Sequence, residues 1–383
     1  MSVTAAQGFL AGGVSAGIKD SGDLDLALVV NRGPSRAAAG VFTSNRVQAA
    51  PVRWSRRALA DGRISAVVLN SGGANACTGP GGAEDTRLMA ERTARAVGTD
   101  PDDVAVCSTG LIGVRLPMDR VADGITAVAD RLSAEGGQDA AVAIKTTDSV
   151  HKTAVATGDG WTVGGMAKGA GMLAPGLATM LVVLTTDADA DAGVLDSALR
   201  DAVRTTFDRV DSDGCMSTND TVLLLASGSS GVTPEPAALS AAVHAVCRDL
   251  ALQLVADAEG ASKEIEVTVV GAASEADAVE VGRSVARNNL LKCALHGEDP
   301  NWGRVLSAIG TTAAAFDPDR LDVAINGVWV CRDGAGAEDR DKADLSGRRI
   351  GLTVDLRSGD SSAVIWTNDL TAEYVHENSA YSS

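Results

Sequence analysis

The chain has 383 residues, 45% of them hydrophobic, 22% charged and only 3% aromatic, with 42 glycines and a formal net charge of −17. Its length exceeds the roughly 250–300 residues at which one core stops growing, so a layered core or two sub-domains are expected, and its composition is that of a globular protein. The negative charge repels polyanions and disfavours nucleic acid; no apolar stretch approaches the ~20 residues of a membrane span, and the opening "MSVTAAQGFLAGG" lacks the basic start of a signal peptide.

Strand-like and helix-like segments alternate through the first half. "ISAVVLN" (64–70) reads as a buried strand feeding the turn-rich "SGGANACTGPGG". "AEDTRLMAERTARAV" (83–97) reads as a helix, acidic early, basic late, with Gly98 as its stop. "VAVCSTGLIG" (104–113) repeats the strand-then-loop pattern, and "GQDAAVAIKTT" (137–147) is a helix giving way to a Thr-rich turn. From Met180 on, "MLVVLTTDA" is a continuous apolar strand, followed by an amphipathic helix over 192–210 and a second buried strand, "TVLLLASG" (221–228). In the helix that follows, Leu239, Val243, Val246, Leu250 and Leu254 form one stripe. "IEVTVVGAA" (265–273) alternates as a half-exposed strand does, and "RLDVAING", "RRIGLTVDL" and "SSAVIWTNDL" are expected to form an antiparallel set. The class is α/β or α+β, with sheets covered by helices.

The chemistry-bearing segments are few. "GGMAKGAG" (164–171) is no Walker loop, because Lys168 is followed by Gly169 and a strand comes after; its glycines suit a close backbone approach. "STGLIG" (108–113) places hydroxyls beside a Gly amide at a strand end, which is either an oxyanion-binding turn or an ordinary Ser/Thr turn. "HGEDPNWGRV" (296–305) reads as a turn set by Pro300 and Gly303 and plugged by Trp302, and "DSDGCMSTNDT" (211–221) lacks calcium-loop spacing. Six cysteines at 77, 107, 215, 247, 293 and 331 include no C-x-x-C pair, and Cys77, Cys107 and Cys247 have largely apolar or small neighbours in sequence. A reduced, cytoplasmic compartment is expected, and neither a metal site nor a Ser-His-Asp pattern is. Taken singly, Lys168 reads as a surface lysine and Glu259 as a solvated helix end.

Taken together, "NSGGANACTG" (70–79), "STGLIG" (108–113), "KGAGMLAPGLATML" (168–181), "DPNWGR" (299–304) and the terminal "ENSAYSS" resemble the ornithine acetyltransferase family of arginine biosynthesis, also called glutamate N-acetyltransferases. The likeness runs over nearly the whole chain, and self-processing aminopeptidases or amidases, the alternative, lack "DPNWGR" and "ENSAY". It implies a layered sandwich of the N-terminal-nucleophile type that cuts itself between Ala178 and Thr179. The fragments, 1–178 and 179–383, would share one intertwined catalytic core plus a smaller sub-domain.

It further implies that Thr179 takes acetyl from N-acetylornithine and passes it to glutamate, with the freed α-amine as base and Thr109 and Gly110 as the oxyanion hole. By the same likeness Thr146, Lys168, Glu259, Asn378 and Ser383 contact substrate. Lys168 would pair with a carboxylate and Glu259 with an ammonium, while Asn378 and Ser383 would hold the α-amino-acid end. Thr147 adjoins Thr146, and many members end in Thr where this chain has Ser383. No metal and no resident cofactor are implied. Acetyl-CoA is a candidate co-substrate, and two α and two β chains are the implied assembly.

Overall fold

Continuous apolar runs become strands buried on both faces. The computed structural model describes residues 2–174 and 180–380. They fall into two units: the residues up to Asp208 with Cys215–Asp257, and Arg209–Gly214 with the residues from Ala258 on.

The first unit holds two sheets. One has the order β1 (Phe9–Val14), β2 (Leu26–Asn31), β4 (Ala66–Asn70), β5 (Val104–Ser108), antiparallel except for the parallel pair β4/β5. The other runs β3 (Ala38–Phe42), β9 (Thr221–Ala226), β8 (Leu181–Thr186), β7 (Thr162–Lys168), β6 (Lys152–Thr157), with β8/β9 its parallel pair. Successive side chains on a strand point to opposite faces. Ala27, Val29, Val67, Leu69, Ala105 and Cys107 therefore meet Met166, Leu181, Val183, Leu223 and Leu225 in a core between the sheets. Their neighbours Leu28, Val30, Val68 and Val106 face helices α2 (Gly79–Val97) and α3 (Met118–Ala129) in a second core. Helices α5 (Ala192–Thr205) and α6 (Pro236–Ala256) pack on the far sheet. The layers are helix, sheet, sheet, helix, the layered sandwich expected from sequence.

Most segments form where the pattern puts them. Helix α2 begins four residues before 83 because Pro80 suits a first turn, and it stops at Gly98, whose φ is 74°. The five-residue stripe of α6 is buried. Gly165 on β7 explains how α6 lies so close: a Cβ there would be 2.7 Å from Leu184 and about 3 Å from Val246 and Leu250. By length and composition α6 could cross a membrane, contrary to the sequence expectation. It carries Arg248 and Asp249 and packs against α5, β6 and β7, as a core helix does.

The second unit is one six-stranded sheet, β13 (Ala335–Gly336), β12 (Val328–Arg332), β11 (Asp322–Ile325), β14 (Arg349–Asp355), β10 (Glu264–Ala272), β15 (Ser361–Asn368). Helices α7 (Glu275–Ala286), α8 (Asn289–His296) and α9 (Trp302–Ile309) contribute to its core. Of the expected antiparallel set, β11 and β14 do pair antiparallel, but β15 is not their neighbour: β10 lies between β14 and β15, parallel to the first and antiparallel to the second. Strand pairing between distant segments leaves no local trace, so alternation alone could not order them.

The strand pair β7/β8 joins residues from both sides of position 178, and the compact units do not follow that division. Leu223 is fully buried at the centre of the inter-sheet core. Leu223→Ala should lower the stability of the first unit by about 2–5 kcal/mol, read as an earlier urea midpoint.

Candidate active site

The loops after β4 and β5 interlock. Thr109 donates its N–H to the Asn70 carbonyl at 3.0 Å, and the Ser108 hydroxyl donates to Asn70 Oδ1 at 2.6 Å. Asn70 Nδ2 in turn holds the Gly73 carbonyl at 2.9 Å, and Asn219 Nδ2 reaches the carbonyl of Ser108 at 2.8 Å. Gly110 has φ +123°, and a Cβ there would stand 2.6 Å from the Gly72 carbonyl carbon and the Gly73 nitrogen. Only glycine fits that position, so "STGLIG" and "NSGGANACTG" form one folded ledge.

Lys168 ends β7 beside this ledge and is 1% exposed. It is not the surface lysine expected of its residue type. Its ammonium donates to Thr146 Oγ1 at 2.7 Å and to Thr109 Oγ1 at 3.3 Å. Of the neighbours Thr146 and Thr147, Thr146 is the one that meets Lys168. An ammonium only donates, so both hydroxyls act as acceptors toward it and keep their own O–H for another acceptor.

Asp148, which the motif reading passed over, holds this group in place. Its Oδ1 accepts from Lys152 Nζ at 2.7 Å and from the Gly169 N–H at 2.6 Å. Its Oδ2 accepts the Thr146 N–H at 3.0 Å and lies 3.9 Å from Lys168 Nζ. Burial alone would raise this carboxyl; the Lys168 and Lys152 charges and the Lys152 and Gly169 donors reverse that and hold it well below the usual carboxylate range. Lys152 is fully buried too and shares its ammonium with Asp257 at 2.5 Å. The "KTTD" stretch did contain a readable signal, the Asp two residues after Thr146 that caps its amide.

Met180 immediately precedes β8, on the other side of Lys168. Its N–H donates to Asp220 Oδ1 at 2.9 Å, its carbonyl accepts the Thr221 N–H at 3.2 Å, and Lys168 faces Leu181 across β7/β8. Ala178, Thr179 and Ser383 lie outside the described residues.

In the second unit, half-buried Glu259 accepts from Asn378 Nδ2 at 3.0 Å, and Asn378, on α10 (Ala372–Ala380), also donates to the Tyr374 carbonyl at 3.0 Å. Burial first, then the charges of Glu259 and Glu373, raise the Glu377 carboxyl. "DPNWGR" is structural: Asn301 caps α9 by accepting the Arg304 N–H, Arg304 holds the Leu290 carbonyl, and Trp302 packs on the sheet core. Ser262, His296 and Asp369 cluster, but the hydroxyl and the carboxylate both meet His296 Nδ1, which is not the order of a nucleophile–base–acid relay. Of the cysteines, Cys107, Cys247 and Cys331 are buried free thiols, and Cys77 is exposed, despite its small-residue neighbours. Among the described residues no group of three or more His, Cys, Asp or Glu is arranged to hold a metal ion.

Removing one member of a buried ion network leaves the others uncompensated. Asp148→Asn should cost about 3–5 kcal/mol at neutral pH, read by urea unfolding. The sign with pH follows from the lowered carboxyl. Its contribution is complete above the unfolded value of about 4 and is lost as pH falls below it, so the wild type should lose more stability in acid than the variant.

The ArgJ family profile matches residues 10–383. Over all 383 residues, and all of the relative, the chain is 70% identical to the arginine biosynthesis bifunctional protein ArgJ of Streptomyces coelicolor and 70% identical to that of Streptomyces avermitilis. A crystal structure of the ornithine acetyltransferase of Mycobacterium tuberculosis complexed with ornithine is 56% identical, with a TM-score of 0.45, covering 47% of this chain and 96% of that one. With a profile match over nearly its whole length and relatives identical at seven positions in ten, the chain belongs to the ArgJ family.

Proposed function

We propose that this chain, an acyltransferase of arginine biosynthesis by its family, moves the acetyl group of N-acetyl-L-ornithine to L-glutamate through an acetyl ester on Thr179. L-ornithine leaves first and N-acetyl-L-glutamate second. The observation that carries this reading is the buried Lys168 ammonium, which donates to Thr109 and Thr146 beside the start of β8 at Leu181.

In this proposal a cut between Ala178 and Thr179 gives the nucleophile its own α-amine. Such an amine has a reference pKa near 8, against about 10.4 for lysine, and can take the hydroxyl proton directly or through a water. The positive charge of Lys168 discourages protonation of that amine and offers a partner to a substrate carboxylate. The Thr109 O–H, left free because Lys168 only donates to its oxygen, and the Gly110 N–H stabilise each tetrahedral oxyanion. Thr146 supplies a second free O–H on the same ammonium. We assign Glu259 to an amino-acid ammonium and Asn378 and Ser383 to its α-amino-acid end.

The Streptomyces relatives are called bifunctional, and the proposal gives this chain acetyl-CoA as a second acetyl donor, with no resident cofactor or metal. It also includes a cytoplasmic location, which the unbridged Cys107, Cys247 and Cys331 suit, and an assembly of two α and two β chains.

Incubation with N-acetylornithine, with and without glutamate, tests the reaction class. N-acetylglutamate should form only with glutamate present; free acetate as the main product would indicate a hydrolase instead. Thr109→Val, which keeps the shape and removes the O–H, should lower kcat about 10²–10³-fold, the usual cost of one oxyanion donor.

A further inference from the structure

Strand β3 is the edge of its sheet, with β9 on one side only, and a cavity of about 610 Å³ lies along it. Thr43 donates its N–H to the Asp220 carbonyl, and Ala226 donates to the Ala37 carbonyl. Antiparallel bonds alternate along a strand, so the odd-numbered residues of β3 bond β9 and the even-numbered ones turn N–H and C=O outward. On that outer side the Ala38 N–H meets the Gly62 carbonyl at 2.8 Å. The outward N–H and C=O of buried Gly40, next in the row, face the cavity.

The walls are basic. Residues 32–63 hold seven arginines and one acid, Asp61, in a chain whose net charge is −17. Arg56, on α1 (Ala50–Ala58), lines the cavity with its guanidinium 5.4 Å from the Phe42 ring centroid, and meets no carboxylate among the described residues. Arg200, on α5, lines it too; its Nε donates to Asp196 at 2.8 Å, which leaves its two outer nitrogens to face a ligand. Asp61, the other acid on the wall, accepts the Arg63 N–H at 3.1 Å.

These groups specify a ligand. Guanidinium forks suit phosphate oxygens. An outward N–H beside an outward C=O matches the acceptor and donor that adenine offers at N7 and N6–H₂. The volume is that of a small-molecule site, and in so acidic a chain a phosphate-bearing ligand needs a local basic patch to approach.

The cavity also lies in register with the site described above. Phe42 stands opposite Thr221, Thr221 opposite Leu181, and Leu181 opposite Lys168. At about 4.8 Å per strand, Lys168 is roughly 14 Å from the Phe42 end of the cavity. We infer that this groove seats the nucleotide end of acetyl-CoA, with adenine on the Gly40 edge and phosphates on Arg56 and Arg200. The acyl-bearing arm then runs along the end of the sheet toward Lys168. The inference rests on the reading of acetyl-CoA as a second acetyl donor, and it gives that donor a foothold that N-acetylornithine does not use.

Calorimetry on the whole purified protein, with CoA, 3′,5′-ADP and pantetheine as probes, reads the binding directly. Wild type should bind CoA and 3′,5′-ADP and hold pantetheine at least about 10-fold more weakly; pantetheine bound as well as CoA would overturn the groove. The double variant Arg56→Gln, Arg200→Gln should raise Kd for CoA and KM for acetyl-CoA about 10–10²-fold, with transfer from N-acetylornithine to glutamate unchanged. Arg92→Gln with Arg95→Gln, two exposed positions on α2 outside the cavity, removes the same charge and should change neither. Equal losses in both double variants would reduce the effect to net charge and overturn the proposal. A wild type that uses acetyl-CoA while the cavity variant uses it equally well sinks the groove alone. A wild type that transfers from N-acetylornithine but neither binds CoA nor uses acetyl-CoA sinks the second-donor reading and the groove with it.

Discussion

Two buried lysines share one buried carboxylate, and the functional loops of the first unit are arranged around that sharing. Asp148 takes Lys152 on one oxygen and faces Lys168 with the other, and it ties down the amides of Thr146 and Gly169. Its Oδ2 sets a counter-charge 3.9 Å from the Lys168 ammonium, which donates to two threonine hydroxyls without consuming their protons. A positive charge and spare O–H donors in a dry place are what an acyl-transfer oxyanion requires.

The fold makes such a place by stacking two sheets. Strands β4 and β5 end in parallel and release their loops side by side, where Gly110 lets one settle against the other. Strands β7 and β8 pair antiparallel, so the end of one and the start of the other, Lys168 and Leu181, are cross-strand neighbours. Small residues in the second sheet let α6 close over it. The scarcity of aromatics and the wealth of glycine noted at the outset are the compositional form of the same arrangement: thin strands, close layers and short hydroxyl-bearing loops.

Much of the layering was legible because burial on both faces leaves continuous apolar runs, as in "ISAVVLN" and "TVLLLASG", and because Gly98 and Pro80 punctuate α2. The order of strands in the second sheet system was not, since β10 reaches its place between β14 and β15 through pairings some 85–100 residues apart in the chain. Among the site residues, Thr109, Gly110 and Thr146 stood in recognisable segments. The burial of Lys168 was invisible, because lysine is nearly always exposed and its counter-charge is twenty residues upstream. Lys152 and Asp257 meet across 105 residues and carry no motif at all, and Asp220 sat in a run weighed only as a calcium loop. "DPNWGR", distinctive as a family marker, marks a helix cap and a core tryptophan.

The central claim is that acetyl rests covalently on Thr179 between donor and acceptor. It is tested most directly by exposing the protein briefly to N-acetylornithine without glutamate, quenching in acid and mapping peptides by mass. The account predicts one acetyl group on the peptide that begins with Thr179, lost again when glutamate is added before the quench. Active transfer with no acetyl on that peptide, or with acetyl on another residue, would contradict it.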